Sequence, residues 1–349
     1  MRLTAVLYQA GLFGVLALLS AATVRLMIGF GLMDTPDGRK AHGRPVPKGG
    51  GVGIVVAFLA GTAALYADGE FGLADPTSRA VIAAASTIAV VSFADDVFDW
   101  PFFGKLAAQL LAGLVVIAAG LFVRVYRMPY VGPVDLGWAG AALTLFWLVF
   151  ATNAMNFIDG LNGLAAGVAL IACGFLGAIA AVQGGWFAYF AALLLAAGLI
   201  GFLPFNFPRA RIFMGDVGSQ FCGFVLAILG VAASRFERVE MSFALVPMLL
   251  SGVLFDVAFT LVRRALAGEA ITRPHRGHLY QVAQRAGMDA RAVALVHWGF
   301  ALFGGGAALA FVAAPAALKP AALLLPLLPQ PIWIGYVTYR ARNAGLGRW

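Results

Sequence analysis

Charge is scarce in this chain. Only 11% of its 349 residues are Asp, Glu, Lys or Arg, against 62% hydrophobic. That balance excludes an ordinary soluble globule. Cysteine is nearly absent. Cys173 and Cys222 both lie in apolar runs, which excludes a disulfide framework and a thiolate metal site and leaves them as small packing residues. Acids are outnumbered, with 16 Asp+Glu against 24 Lys+Arg and a net charge of +8. The basic residues are scattered over short loops, so the excess suits topology, lipid headgroups and anionic substrates, and no nucleic-acid partner is expected. There is no low-complexity tail, convincing repeat or large polar domain. The N-terminus runs from Met-Arg through apolar sequence to Arg25. It is longer than a signal-peptide core and has no clear small-residue cleavage site, so it reads as a retained first helix.

What the chain does have is apolar length. Candidate spans fall at roughly 4–27, 49–67, 77–95, 105–123, 138–155, 161–182, 186–203, 217–234, 241–262, 291–313 and 320–339. Each approaches the roughly 20 residues that cross a bilayer. The expectation is an all-α, polytopic integral membrane helix bundle of about 10–11 transmembrane helices, forming a single catalytic domain over 1–349. Alternate loops then divide into two sets. One set comprises 28–48, 95–105, 153–160, 204–216, 263–290 and the C-terminus, and with Arg291 at its edge it holds 16 of the 24 Lys+Arg. The positive-inside rule puts that set in the cytoplasm, giving N-out/C-in. Every polar motif of note falls in this same set.

The second of these loops reads Asp95-Asp96-Val97-Phe98-Asp99-Trp100-Pro101. A carboxylate in hydrocarbon costs about 2.5–3.5 kcal/mol on insertion scales, and three together repel one another. Asp95 and Asp99 are four apart and so share a helix face, with Asp96 in reach. Acids at a helix C-terminus also oppose the macrodipole. Something cationic must offset that cost, and a divalent metal carrying a phosphorylated substrate does so. Lys105 opens the next span and is placed to neutralise a carboxylate or hold a phosphate.

The other loops are polar in complementary ways. The first carries His42 and Lys48 with Arg39, Lys40 and Arg44 among prolines and a Gly49-Gly50-Gly51 run, which suits phosphate binding. The third presents Asn153, Asn156 and Asp159 at spacings of three, followed by Gly160, Asn162 and Gly163. Asn supplies neutral oxygen to a metal and both donor and acceptor to a base edge. In the fourth, Asp216 stands between Gly215 and Gly218 just before an apolar helix. That position suits a metal carboxylate or an N-cap. The fifth, 263–290, gathers Arg263, Arg264, Arg273, His275, Arg276 and His278, which looks like a diphosphate grip. Asp256 either pairs with Arg263 or Arg264 or joins the site. His297 reads as an isolated helix residue.

With these loops in view, the sequence resembles the polyprenyl-phosphate N-acetylhexosamine-1-phosphate transferases of glycosyltransferase family 4 type. These are membrane enzymes related to the phospho-MurNAc-pentapeptide translocase. The resemblance rests on Asp95-Asp96 with Asp99, on Asn153-x-x-Asn156-x-x-Asp159-Gly160, and on Phe213-Met214-Gly215-Asp216-x-Gly218-Ser219. Two departures are visible. Many relatives carry an acid at Asn162 and a His-x-His-His pattern where this chain has His278-Leu279-Tyr280-Gln281. The missing histidine run points away from the MurNAc-pentapeptide enzyme and towards the O-antigen-initiating branch.

The resemblance implies a Mg2+-dependent transfer (Mn2+ as the other candidate) of N-acetylhexosamine-1-phosphate from a UDP-sugar to undecaprenyl phosphate, with UMP released. UDP-GlcNAc is the first choice of donor, followed by UDP-N-acetylfucosamine or UDP-N-acetylquinovosamine. It implies catalytic roles for Asp95, Asp96 and Lys105, without deciding which aspartate is the base, and metal ligation by Asp216 and Asn156. Nucleotide-sugar binding falls to Asn153, Asp159, Asn162, Arg276, His278 and His275, and lipid-phosphate binding to His42 and Lys48. The expected setting is the cytoplasmic (inner) membrane, multi-pass, among membrane lipids, with the active site on the cytoplasmic face and a homodimer left open. A cation-coupled transporter is the alternative of another class. Transporter sites lie near the midplane, whereas these acids end helices on one face.

Overall fold

The structure is a computed structural model that describes residues 3–35, 44–67, 76–128, 132–235, 241–270, 273 and 275–347. Helix α1 (Leu3–Phe30) leads into a short antiparallel pair, β1 (Met33–Asp34) and β2 (Val46–Pro47). Then follow α2 (Gly51–Ala67), α3 (Pro76–Phe98) and α4 (Phe102–Ala118). A hairpin of β3 (Val125–Met128) and β4 (Gly132–Asp135) precedes α5 (Gly137–Ile158), α6 (Leu164–Gln183), α7 (Trp186–Asn206) and α8 (Gly215–Arg235). The remainder is α9 (Leu245–Leu249), α10 (Ser251–Leu266), α11 (Leu279–Arg285), α12 (Ala290–Ala313), α13 (Lys319–Leu324) and α14 (Pro329–Asn343).

Among the described residues, eight helical stretches are long and apolar enough to cross a membrane, and α2 and α4 are shorter apolar helices. This is the all-α polytopic architecture expected from the sequence. Two expected spans take a different form. The run 241–262 is interrupted at Leu250 into α9 and α10, and α10 carries Asp256, Arg263 and Arg264 on an otherwise apolar stretch. The run 320–339 is broken by prolines into a 3-10 turn, α13, a second 3-10 turn and α14. Hydropathy is blind to both breaks because apolar residues continue through them.

Helix α8 is the axis of the bundle. Its apolar window is 94% buried, and Phe221, Phe224, Leu226 and Val231 are wholly enclosed. It packs against α3 and α5, and α2 flanks it. A membrane helix hidden from lipid on every side can carry a functional group at its end without exposing it to hydrocarbon. Asp216 sits at that end.

Candidate active site

The C-terminal ends of α3, α5 and α7 and the N-terminal ends of α4 and α8 meet at one end of the bundle. They enclose a cavity of about 2020 Å3, open mouth included, completed by α11 and the segment around Lys48. Its wall includes Asp95, Asp96, Lys105, Asn156, Asp159, Asp216, Arg276 and Lys48. These came from five separate loops of the sequence, and the fold brings them together.

Lys105 is the link between two of them. Its Nζ lies 2.9 Å from Asp95 Oδ2 and 3.1 Å from Asp216 Oδ2. Asp216 Oδ1 accepts a 2.9 Å hydrogen bond from Asn156 Nδ2, which also donates to Ser219 Oγ at 3.0 Å. Gln220 Nε2 donates to Asp216 Oδ2 at 3.1 Å. Asp216 is therefore held from three sides, and Asn156 keeps its amide oxygen as the atom it can offer a cation.

Asp96 has a different part from Asp95. Its two carboxylate oxygens accept the backbone N–H groups of Asp216 at 3.2 Å and Val217 at 3.0 Å. It caps α8 from another helix, where a negative charge meets the positive end of the helix dipole. Gly215 makes this possible. Its φ is +77°, and a Cβ there would stand 2.6 Å from Asp96 Oδ2. Lys48 Nζ approaches Asp96 at 3.9 Å and Asp99 at 4.0 Å. The first loop is brought there by backbone pairing with the fourth: Phe213 N donates to Pro47 O, Gly50 N to Phe213 O and Gly51 N to Met214 O. Asp99 does not share the face of Asp95, because α3 ends at Phe98 and Asp99 turns to φ +50° with its side chain 96% exposed.

Asp159 follows the last residue of α5 and lines the cavity. Burial pushes its carboxyl well above the usual carboxylate range, and the negative charges of Asp216 and Asp96 push it further. Among the described residues, the cavity wall bears six aspartates, Asp34, Asp95, Asp96, Asp99, Asp159 and Asp216, with Lys48, Lys105 and Arg276. Carboxylates repel a diphosphate unless cations stand among them. The donor atoms are carboxylate and amide oxygens, the set that suits a hard divalent ion. Among the described residues, no three of His, Cys, Asp or Glu are grouped so as to hold a metal ion. Mg2+ takes one or two carboxylates together with water and substrate phosphate, and the Asp216 carboxylate and the Asn156 amide oxygen are the atoms here of that kind.

Several expected site residues stand elsewhere. Asn153 is turned to α4 and exchanges amide hydrogen bonds with Gln109 at 2.6 and 3.4 Å, and Gln109 in turn donates to Gln220 at 2.9 Å. Asn162 does not line the cavity. His278 is buried, with Nδ1 3.2 Å from Asp256 Oδ1. His275 stacks on His278 at 5.0 Å between centroids, and its Nδ1 accepts the Gly277 N–H. Burial and the charges of His278, Arg264 and Arg263 lower its pKa to about 4. Neither histidine reaches the cavity wall. His42 lies outside the described residues.

Sequence reasoning passed over Tyr280, Gln281 and Gln284 on α11, Trp100, and Asp34 and Thr35, all on the wall. Tyr280 donates its hydroxyl to the Phe157 carbonyl at 2.9 Å. Gly160 makes room for it, since a Cβ there would collide with the Tyr280 hydroxyl. Asp256 pairs with His278 and approaches His297, not with Arg263 or Arg264. His297 is therefore no isolated residue.

A cluster of carboxylate, amide and ammonium groups thus forms a polar cavity at one end of a polytopic bundle of apolar helices. Residues 78–234 match the family model Glycosyl transferase family 4. A probable undecaprenyl-phosphate N-acetylglucosaminyl 1-phosphate transferase of Bacillus subtilis is 32% identical over 274 residues, 78% of this chain and 75% of its own. A decaprenyl-phosphate N-acetylglucosaminephosphotransferase of Mycobacterium tuberculosis is 33% identical over 312 residues, 80% of this chain and 76% of its own. An undecaprenyl-phosphate alpha-N-acetylglucosaminyl 1-phosphate transferase of Yersinia pestis is 28% identical over 278 residues, 76% of this chain and 73% of its own. The chain belongs to the polyprenyl-phosphate N-acetylhexosamine-1-phosphate transferases of glycosyl transferase family 4.

Proposed function

We propose that this enzyme transfers N-acetylglucosamine-1-phosphate from UDP-GlcNAc to undecaprenyl phosphate and releases UMP. The observation that carries the reading is the convergence of Asp95, Lys105, Asn156 and Asp216 on one cavity at the helix ends. A site there lets a polar lipid head enter while its tail stays between helices. The similar proteins named above support the choice of sugar and lipid.

The reaction joins two anions. An oxygen of the lipid phosphate forms a bond to the β-phosphorus of the UDP-sugar, and the bond from that phosphorus to the UMP oxygen breaks. Positioning and charge neutralisation dominate such chemistry. Asp96 gives both oxygens to α8 amides and so fixes Asp216, which leaves Asp95 as the carboxylate that orients the lipid phosphate or takes its remaining proton. Lys105 offsets charge between Asp95 and Asp216 and meets incoming phosphate. Lys48 and Arg276 add positive charge at the mouth. Mg2+, or Mn2+ in its place, held by Asp216 and Asn156, would neutralise the diphosphate and the departing UMP. Asp159 and α11 would form the nucleotide side of the cavity.

The excess of Lys+Arg in the loops at this end supports a site on the cytoplasmic face of the cytoplasmic membrane, with N-out/C-in topology. The product, a polyprenyl diphosphate sugar, would begin a lipid-linked surface polysaccharide such as O-antigen. The test is UMP release from a panel of UDP-sugars with undecaprenyl phosphate and Mg2+, with and without chelator. UDP-GlcNAc should give the highest kcat/KM. No UMP from any UDP-sugar would overturn the reading.

A further inference from the structure

Part of the cavity wall is set by a carboxylate that does not touch the cavity. Asp256 lies in α10 and is 1% exposed. Its Oδ1 accepts the Leu279 N–H at 2.9 Å and its Oδ2 the Tyr280 N–H at 3.0 Å. These are the first two amides of α11. His278 Nδ1 faces Oδ1 at 3.2 Å, and the Thr260 hydroxyl donates to Oδ1 at 3.3 Å. A carboxylate only accepts, so this contact is a hydrogen bond in the tautomer that has its proton on Nδ1. His297 closes the other side, its Nε2 3.8 Å from Oδ2. A carboxylate buried this deeply is costly unless its lone pairs are filled. Here they are filled by the start of one short helix.

That helix supplies the wall. Tyr280, Gln281 and Gln284 line the cavity, and Arg276 stands just before it. The Tyr280 hydroxyl then binds the Phe157 carbonyl, between Asn156 and Asp159. Tyr280 thus ties α10 to α5, with its N–H on Asp256 and its hydroxyl on the Phe157 carbonyl at the end of α5. At the far end of α11, Arg340 of α14 donates to the Ala286 carbonyl at 3.2 Å.

We infer that Asp256 is a positioning residue that pins α11 against α5 and thereby sets the affinity for the nucleotide-sugar, not the rate of phosphoryl transfer. The inference rests on the function proposed above, because it needs a nucleotide on the α11 side.

The experiment uses full-length enzyme in lipid nanodiscs. Initial rates of UMP release are measured for wild type, Asp256→Ala, Asp256→Asn, Tyr280→Phe and the Asp256→Asn/Tyr280→Phe pair, varying UDP-GlcNAc and undecaprenyl phosphate separately. Losing a buried charged partner predicts KM for UDP-GlcNAc raised by about tenfold or more in Asp256→Ala. KM for the lipid and kcat should stay within about threefold. Asp256→Asn keeps the volume and one acceptor, so it should fall between. The double variant should be less than additive, since both changes act through one helix. A fall in kcat at unchanged KM, equal shifts for both substrates, or wild-type kinetics would overturn the inference. Hydrogen exchange of 279–285 in Asp256→Asn gives a readout that needs no catalysis and covers an Asp256→Ala variant that fails to fold. Faster exchange confined to α11 supports the pin, and unchanged exchange rejects it. Wild-type enzyme that releases no UMP would instead fail the parent reading, while the exchange result still judges the pin.

Discussion

Lys105 Nζ lies 3.1 Å from Asp216 Oδ2, though 111 residues separate them in the chain. With Asp95 on its other side at 2.9 Å, this ammonium stands between two carboxylates that would otherwise repel each other and any phosphate. Lys105→Met should therefore lower kcat by about 10²–10³, the range seen when one preorganised electrostatic group is removed. Initial UMP-release rates check this, with a thermal melt to show that the bundle still folds. A rate within about threefold of wild type would remove Lys105 from the chemistry.

Asp96 and Asp216 should separate by stability. Asp96 holds two amides of α8, so Asp96→Ala removes a helix cap, which costs about 0.5–2 kcal/mol, as well as displacing Asp216. Asp216→Ala should abolish turnover with the bundle still folded, though it leaves the Asn156 and Gln220 amides and the Lys105 ammonium without that partner. Hydrogen exchange in the first turn of α8 should therefore rise more in Asp96→Ala than in Asp216→Ala. Equal exchange in the two would contradict the capping role.

Asn153 is a structural amide by its contacts. Asn153→Ala leaves Gln109 with its Oε1 unpaired in a buried site, and an unmade buried hydrogen bond costs about 1–3 kcal/mol. The expected outcome is a lower melting temperature with KM for UDP-GlcNAc unchanged. A raised KM with unchanged melting would return Asn153 to the nucleotide.

His275 gives the loop before α11 a pH dependence. It faces His278, Arg263, Arg264 and Asp256, and its pKa falls from the ordinary 6.5 to about 4. The unfolded loop thus binds more protons than the folded one between these values. Stability is complete above about 6.5 and is lost as pH falls towards 4. Limited proteolysis around Arg273–Arg276 should rise on going from pH 7 to pH 5, and His275→Asn should flatten the rise. A pH-independent cleavage rate in wild type would contradict it.

Much of this site could be read from the chain because charges are expensive in apolar sequence. Asp95, Asp96, Asp159 and Asp216 each interrupt or end a hydrophobic run, and a cost that large needs a reason. The parts that escaped are neutral or distant. Gln109, Gln220 and Tyr280 look like ordinary helix residues, and only tertiary contact gives them partners. Asp256 answers amides 23 and 24 residues away, a separation with no local periodicity. The basic loop marks His278 as a candidate for the nucleotide-sugar, whereas the fold buries it against Asp256, and nothing in such a loop foretells that a carboxylate from α10 will claim its ring. The break at Leu250 escaped for the same kind of reason: hydropathy measures how apolar a segment is, not whether its helix continues.

The most direct measurement follows one phosphorus atom. UDP-GlcNAc labelled with 32P in its β-phosphate is incubated with the enzyme and undecaprenyl phosphate, and the organic and aqueous phases are counted. The account predicts that the label moves into the lipid phase while UMP leaves unlabelled, and that Asp216→Ala stops both. Label left in the aqueous phase as UDP, with sugar alone on the lipid, would contradict it.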